Sequence, residues 1–257
     1  SVTSILAMAT AQGWLVFDMT GSPAALGLVA GVQALPGIVF NLFAGALADR
    51  IDPRRIIMVG EGIAALTLAV LGVVIVTGLV EVWHIAIAAF VTGLATSFDQ
   101  PARRAVWPLL IPREQMTFGS SLNSSVWNGT QIVAPSVAGA TIALIGGVTG
   151  DYRLGAGVVH FMLSAGFLTM AGAMVLIRLP SIDRARGATV LHDIVDGLRF
   201  TYRNRIFMVL LGMSLVFGYF GLSYQWLMPV FAREVFGVGA DGLGLLMSAN
   251  GVGGFLG

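Results

Sequence analysis

The sequence contains no cysteine and no lysine, and charged residues of either sign are scarce. Because cysteine is missing, these residues form no disulfide, no thiolate metal site and no cysteine nucleophile. Only 11% of the 257 residues are charged, whereas 56% are hydrophobic. A soluble globular domain carries about 25% charged residues, so this chain has too little charge to cover its surface against water. The composition therefore predicts a protein whose surface largely faces lipid.

Features typical of an enzyme, an ATP-driven motor or a nucleic-acid-binding protein are also missing. The formal net charge of +1 gives no electrostatic reason to expect nucleic acid. The sequence has no Walker A motif, and the glycines of "GVGGFLG" have the wrong spacing for a dinucleotide loop. His84, His160 and His192 are too far apart for a metal site, and we interpret the first two as ordinary residues near the outer membrane interface. We therefore expect neither an enzyme nor a cofactor.

Long runs without a charged residue divide the chain into segments. A helix needs about 20 apolar residues to cross a bilayer, and these runs are far too long for the alternating strands of a membrane barrel. We predict an all-α membrane protein with eight spanning helices, the third starting near Ile56. The runs are 1–17, 19–48, 62–80, 82–98, 115–150, 154–177, 206–232 and 242–257. Because the first and last residues lie inside apolar runs, we expect a fragment of a longer protein.

The arginines lie almost entirely on one side of this predicted topology. Short cytoplasmic loops collect positive charge. Twelve of the fourteen arginines follow even-numbered helices, and Arg153 and Arg233 are the exceptions. The twelve are Arg50, Arg54, Arg55, Arg103, Arg104, Arg113, Arg178, Arg184, Arg186, Arg199, Arg203 and Arg205. The loops after even-numbered helices are therefore predicted to be cytoplasmic, which supports the count of eight helices.

The longest connection, residues 178–205, divides the chain after six spans. Apolar residues recur in it at helical spacing, which indicates an amphipathic helix on the cytoplasmic membrane surface; a solvated linker is the alternative. An internal repeat supports the division, because "ALGLVAGVQALPG" at 25–37 aligns with "GLGLLMSANGVGG" at 242–254. We predict a six-helix bundle at 1–177, a cytoplasmic linker at 178–205 and the start of a second bundle at 206–257. Repeated halves are common in secondary transporters.

A dense group of charges separates the second and third predicted helices, in "GALADRIDPRR" at 45–55. Asp52 and Pro53 form a helix-start pair, and Gly45 would let another helix approach closely. The stretch resembles the G-x-L-A-D-R-x-G-R-K-x signature of the major facilitator superfamily, which implies a gating motif here. The matching residues are Gly45, Leu47, Ala48, Asp49, Arg50 and Arg54, whereas Asp52 and Pro53 depart from the signature and Arg55 can supply the missing basic charge.

Two further stretches narrow the resemblance. Residues 98–116 and 121–140 are similar to a branch of bacterial exporters that includes the transmembrane secretion effectors and the enterobactin exporter. Within the second stretch, "APSVAGA" resembles the G-P-x-x-G-G element of drug/proton antiporters, with Pro135 and Gly139 at matching positions. Many antiporters also carry an arginine within helix four. Residues 82–98 contain none, so coupling through such an arginine is not expected.

The resemblance implies a fold of twelve helices in two six-helix halves, of which this chain would hold the first eight. It implies a monomeric, multi-pass transporter of the bacterial cytoplasmic membrane. The activity implied is proton-coupled export of a small amphipathic compound, such as a drug or a siderophore, by alternating access. An importer of the same fold and a non-transporting receptor or scaffold are the alternatives. A non-transporting member would tolerate a cavity filled by bulky apolar side chains.

Two acidic residues are candidates for proton coupling, because charge inside a membrane is costly and often functional. Glu61 lies about two turns into the third helix, where it either pairs with Arg54 or Arg55 or carries a proton; we favour pairing. Asp18 ends the first helix at the outer face, where water and the helix terminus could also satisfy it.

Asp99 and Arg103 complete the predicted gating group. Asp99 is expected at the cytoplasmic end of the fourth helix. It either bridges to the arginines at 50–55 and locks the inward-closed state, or pairs locally with Arg103 one helical turn further on.

The fifth predicted helix carries Asn123, Trp127 and Gln131 at intervals of four residues, which places them on one face. An unsatisfied amide facing lipid would cost a few kcal/mol, so this face should contact protein or a water-filled cavity. Similar but weaker cases are Gln12, Tyr219 and Ser223. The resembled fold places helices one, five and seven around a central cavity, so these residues are candidates for binding substrate. Hydrogen bonding between helices is the alternative.

Overall fold

The computed structural model describes residues 2–48, 51–177, 190–221 and 224–256, and within them the chain is helical without a strand. The helices are α1 (Val2–Thr20), α2 (Pro23–Ala48), α3 (Pro53–Val76), α4 (Val82–Leu110), α5 (Met116–Thr149), α6 (Tyr152–Leu176), α7 (Val190–Arg203), α8 (Arg205–Val216), α9 (Tyr224–Val230) and α10 (Ala240–Leu256). Residues singled out above that lie outside the described ranges are Asp49, Arg50, Arg178, Arg184, Arg186 and Ser223.

Six helical segments of the described chain are long and apolar enough to cross a membrane. They are Pro23–Asn41, Pro53–Val76, Val82–Val106, Met116–Thr149, Tyr152–Leu176 and Arg205–Val235, and they match the second to seventh predicted spans. The first and eighth predicted spans are the helices α1 and α10, which are not among the six; α10 is 17 residues long. The predicted class, an all-α membrane bundle, is confirmed. Below, cytoplasmic and outer ends are named according to the arginine pattern.

Helix ends follow from local side-chain chemistry. Asp52 caps α3, its Oδ1 accepting from the amide of Arg54 at 3.0 Å, and Pro53 is the first helical residue, as the Asp-Pro pair predicted. Asp151 caps α6 in the same way. Before it, Gly150 caps the carboxyl end of α5, and its positive φ of 78° costs glycine little. These caps place the turns between consecutive membrane helices.

Helix α4 is longer than the predicted span 82–98, because it continues well beyond Asp99. The charge-free run ends at Asp99, but Arg103 lies one turn further on and forms an ion pair with it inside the helix. Ala102 and Val106 on this extension are buried in a small apolar cluster with residues of α3 and α6. A paired charge and an apolar face therefore let the helix continue where charge alone predicted its end.

The seventh predicted span, 206–232, is not one regular helix. A π turn at Phe217–Gly221 and two undescribed residues separate α8 from α9, and a second π turn, Phe231–Val235, follows α9. Pro229 lies within α9. Proline has no backbone N–H to donate to the helical ladder, and the two π turns flank the short helix that contains it.

The main hydrophobic core joins helices α1 to α6 to α9 and the start of α10. Small residues let these helices approach one another. A Cβ on Gly157 of α6 would lie 2.7 Å from Cγ2 of Val76 in α3. Nearby, the hydroxyl of Ser164 donates to the carbonyl oxygen of Ala65 at 2.8 Å. Helices α3 and α6 therefore form a tightly packed pair.

The prediction that His160 is interfacial is wrong. The side chain is fully buried, and its Nδ1 lies 2.7 Å from the carbonyl oxygen of Ala156, one turn earlier in α6. Because α6 already begins at Tyr152, residue 160 lies two turns inside the bundle. His84, in contrast, lies in the first turn of α4, where its Nδ1 accepts from the amide of Glu81 at 3.1 Å.

Candidate functional site

A polar cavity lies between α2 and α4, from the middle of the bundle to its cytoplasmic end. Its volume is about 900 Å³, which is within the size range of small-molecule sites. Six polar side chains from the two helices line it, namely Gln33, Asn41, Thr96, Ser97, Gln100 and Arg104. These walls can hydrogen-bond the polar groups of a ligand, while the alanines and glycines between them leave room for its apolar parts.

The α2 wall of the cavity is a regular stripe. Gln33, Gly37, Asn41 and Gly45 follow at intervals of four residues, which places them on one face. The series continues in the sequence to Asp49, outside the described residues. A Cβ on Gly45 would meet nothing within 4 Å among the described atoms. Among the described atoms, Gly45 therefore adds open space to the cavity, and the predicted close approach of another helix at Gly45 stays a prediction.

The α4 wall begins where the two helices cross. A Cβ on Gly93 would lie 2.2 Å from the carbonyl oxygen of Gln33, so only glycine permits this approach. One turn further, the hydroxyls of Thr96 and Ser97 donate to the Gly93 carbonyl oxygen at 2.9 and 2.7 Å. Their protons are thereby engaged, and their oxygen lone pairs are left to face the cavity as acceptors. Arg104 is the one charged side chain among the described lining residues.

This site was missed by sequence reasoning, although a signal for it was present. The spacing rule that selected the stripe on α5 also selects Gln33 and Asn41, two amides eight residues apart in a charge-free run. Gly37, midway between them, carries no side-chain chemistry of its own and so gave no sign of a polar stripe. The polar pair interrupted by small residues was the signal.

The predicted cavity residues on α5 do not share a site in the described structure. Asn123 is exposed and Trp127 is 41% exposed. Gln131 lines a different and narrow space, near Gln225 and Asn250. A stripe of polar residues shows that one face of a helix avoids lipid, but it does not show which element packs against each part of that face. Here α10 packs against α5 at Gln131.

The remaining cavity candidates are also distributed differently. Gln12 is fully buried within α1, and neither atom of its carboxamide has a hydrogen-bond partner among the described residues. Tyr219 is 72% exposed and lies edge-on to Phe220, with ring centroids 4.8 Å apart. The structure therefore does not bring Gln12 and Tyr219 into the polar cavity.

Helices α5 and α10 pack closely through the antiporter-like element. A Cβ on Gly139 would lie 2.3 Å from the carbonyl oxygen of Ala240, and a Cβ on Gly244 would lie 2.6 Å from that of Pro135. The Ser248 hydroxyl lies 2.7 Å from that of Ser136 and also donates to a carbonyl of α5. Gly139 and Pro135 therefore join the two predicted halves through backbone contact at their outer side.

An ionic cluster at the outer face also joins the two predicted halves. Asp18 at the end of α1 accepts from Arg153 Nε at 3.4 Å and from Arg233 Nη1 at 3.3 Å. Arg153 lies in the first turn of α6, whereas Arg233 lies in the π turn that ends the seventh span. The two arginines that depart from the cytoplasmic arginine pattern are thus both partners of Asp18. We call this group the outer cluster.

A second cluster is buried between α3 and α4 toward the cytoplasmic end. Arg103 binds Glu61 through Nη2 and Asp99 through Nε. The prediction paired Glu61 with Arg54 or Arg55, but Arg54 instead donates to the carbonyl oxygen of Val175 in α6. Of the two alternatives for Asp99, the local pair is the one observed. We call Glu61, Asp99 and Arg103 the inner cluster.

Helices long and apolar enough to cross a membrane, with a polar cavity between two of them and close contacts through glycine, define a polytopic helical membrane bundle. The sequence profile of the transmembrane secretion effector family matches residues 1–257. The chain therefore belongs to this family of major facilitator proteins, as the sequence motifs predicted, and it is a multi-pass protein of the bacterial cytoplasmic membrane.

Curated relatives of this family align along most of the chain. Macrolide efflux protein A of Streptococcus pyogenes is 28% identical over 239 residues, covering 91% of this chain and 57% of the relative. Multidrug efflux pump Tap of Mycolicibacterium fortuitum is 29% identical over 208 residues, covering 79% and 50%. The staphyloferrin A transporter of Staphylococcus aureus is 24% identical over 244 residues, covering 95% and 59%. The chain thus spans between half and three fifths of their length.

Proposed function

We propose that the intact protein is a secondary active exporter that moves a small amphipathic compound by alternating access, driven by protons. The proposal rests on one observation: the cavity and the contacts between the two predicted halves lie at opposite ends of the bundle. The polar cavity reaches the cytoplasmic end of the bundle, whereas the outer cluster and the Gly139 contact join the two predicted halves at the outer side. This is the arrangement expected of an inward-facing state closed toward the outside.

The proposed substrate combines an apolar body with several hydrogen-bonding groups. Of the described residues lining the cavity, Gln33, Asn41 and Gln100 offer carboxamides that both donate and accept. Between them lie alanine, glycine and proline, which accept apolar surface. The names of the relatives, a macrolide efflux protein, a multidrug efflux pump and a staphyloferrin A transporter, are compatible with a compound of this kind. We propose that the protein acts as a monomer, since one chain with two halves would complete the cavity.

Efflux of defined probes from cells that express the intact gene product tests this proposal. The probes are erythromycin and ethidium, measured with and without a protonophore. Expression should lower the accumulation of at least one probe, and the protonophore should abolish the difference. Unchanged accumulation of both probes would contradict the proposal and favour a receptor or scaffold, while raised accumulation would indicate import.

Variants of the cavity wall connect the activity to this site. Gln33→Ala and Asn41→Ala should reduce efflux or change which probe is preferred, while protein abundance stays near the wild-type level. Val39→Ala is the matched control, because Val39 is on the same helix, is exposed and does not line the cavity. Equal effects of all three variants would place the substrate elsewhere.

A further inference from the structure

The inner cluster has an uneven charge balance. Glu61 and Asp99 are 2% and 5% exposed, and both bind the same guanidinium, that of Arg103. The second oxygen of each carboxyl group, Oε2 of Glu61 and Oδ1 of Asp99, is buried without a hydrogen-bond partner among the described residues. Two ionised carboxylates beside one guanidinium would leave a net charge of −1 in this enclosed place.

The other charged side chains of the described helices are directed elsewhere, and Arg104, next to Arg103 on α4, is exposed and lines the polar cavity. On α3, Arg54 is directed to the carbonyl oxygen of Val175 and Arg55 is exposed. In the described part of α2 there is no charged residue, and α6, which packs on α3, carries only Arg153 at its outer end and His160 in its interior. Residues 49 and 50, outside the described ranges, contribute one charge of each sign.

A single proton restores neutrality. Two carboxylates that share one buried position do not both ionise readily, because each charge is desolvated and repels the other. One proton held by either carboxyl group, with the other ionised against Arg103, gives a cluster of net charge zero. The unpartnered oxygens provide the place for it, because buried negative charge on an oxygen that accepts no hydrogen bond is costly and a proton removes that charge.

We propose that Glu61 and Asp99 share one exchangeable proton beside Arg103, and that its binding and release is the coupling step of transport. The inference rests on the proposed exporter function and names the site of its driving ion. When the proton leaves for solvent, the net charge of the cluster changes from zero to −1. The electrostatic attraction between the two carboxylates and Arg103 then increases. Gln100 and Arg104, the residues that follow Asp99 and Arg103 in the chain, line the cavity. The same segment of α4 therefore carries the proton site and part of the substrate site.

Infrared difference spectroscopy of the purified intact protein tests the shared proton directly. A protonated carboxyl group has a carbonyl stretch that is separate from the carboxylate bands and shifts in D2O. The wild type should show this band at a pH where exposed carboxyl groups are ionised. Either Glu61→Gln or Asp99→Asn should remove it, because the remaining carboxylate and Arg103 balance each other.

The matched control is Glu114→Gln, which changes an exposed glutamate outside the inner cluster and should leave the band in place. A band that is absent from the wild type, or that persists in both cluster variants, would overturn the shared proton. Thermal unfolding of each variant in detergent checks that the fold is retained, so that the loss of a band is not the loss of the structure.

Transport in liposomes separates the coupling role from a structural one. With ethidium as probe, Glu61→Gln and Asp99→Asn should lower proton-driven transport by roughly 10²-fold, the range seen when a proton-transferring group is removed, yet retain exchange of ethidium without a proton gradient. Proton-driven transport at the wild-type rate would refute the coupling role. If the wild type itself moves no probe, the exporter proposal fails, and the infrared result still decides whether the proton is shared.

Discussion

Replacing Gly139 with alanine should shift the protein away from the conformation described here. The added Cβ would lie 2.3 Å from the carbonyl oxygen of Ala240 and 3.0 Å from the Cα of Gly244. Both neighbours are backbone atoms of α10, so no side chain can rotate to make room. Either α10 moves away from α5, or the contact at the outer side opens.

The size of the shift follows from the steric cost. Overpacking a tight contact by one methyl group costs about 1–3 kcal/mol, which corresponds to a change of roughly 5- to 150-fold in the ratio of two conformations. The higher helix propensity of alanine, about 1 kcal/mol relative to glycine, does not alter this ratio, because α5 remains a helix in both states. The population open to the outside should therefore rise by that factor.

Distances between spin labels measure the shift. The sequence contains no cysteine, so Leu79→Cys and Glu234→Cys can be labelled selectively within these residues. Both positions are exposed near the outer face, one in the first predicted half and one in the second. In the Gly139→Ala background the label distances should shift from a short to a long population.

Gly129→Ala is the matched control for the same helix, because a Cβ at that position would meet nothing within 4 Å among the described atoms. It adds the same methyl group and the same helix propensity without the clash. A distance distribution in Gly139→Ala that is indistinguishable from that of Gly129→Ala would refute the idea that this contact holds the outer side closed.

Two further predictions use the same measurements. Asp18→Asn removes two exposed ion pairs, each worth less than about 1 kcal/mol. Thermal stability should therefore hardly change, whereas the outer-open population should rise a few fold. Glu81→Gln is the control, and a large loss of stability in Asp18→Asn would contradict this prediction. Gly93→Ala places a Cβ 2.2 Å from the carbonyl oxygen of Gln33 within one half, so it should lower stability by about 1–3 kcal/mol without opening the outer side. Gly62→Ala, with open space around its Cβ, should do neither, and equal stability of the two glycine variants would refute the crossing contact.

The sequence by itself indicated which segments are apolar enough to cross the membrane, and six of the eight predicted spans match long apolar helices of the described chain. Burying a charge in lipid is costly, so runs without charge indicate the membrane segments. Asp52 and Pro53 indicate the start of α3 through local capping chemistry. Both signals are local, because they depend on residues adjacent in the chain. The family motif was readable for the same reason, as a contiguous pattern between two helices.

The tertiary structure alone decided which residues meet. Glu61 had two arginines close to it in sequence, but its partner is Arg103, 42 positions away on a neighbouring helix. The end of α4 was mispredicted for a related reason. Asp99 ends the charge-free run in the sequence, but its ion pair with Arg103 lets the helix continue past it. A charge is costly or tolerated in a membrane protein according to its partner, and the partner is set by helix packing.

The cavity shows the same division between local and tertiary information. Periodicity indicates that one face of a helix avoids lipid, and it did so for Gln131 on α5 as well as for Gln33 on α2. Whether such a face meets another helix or lines an open space depends on how closely its neighbour approaches. Here α10 closes over Gln131 through Gly251, whereas α2 and α4 touch at Gly93 and then diverge. The distance between two helix axes is set by the side chains of both helices, and one periodic pattern contains only half of that information.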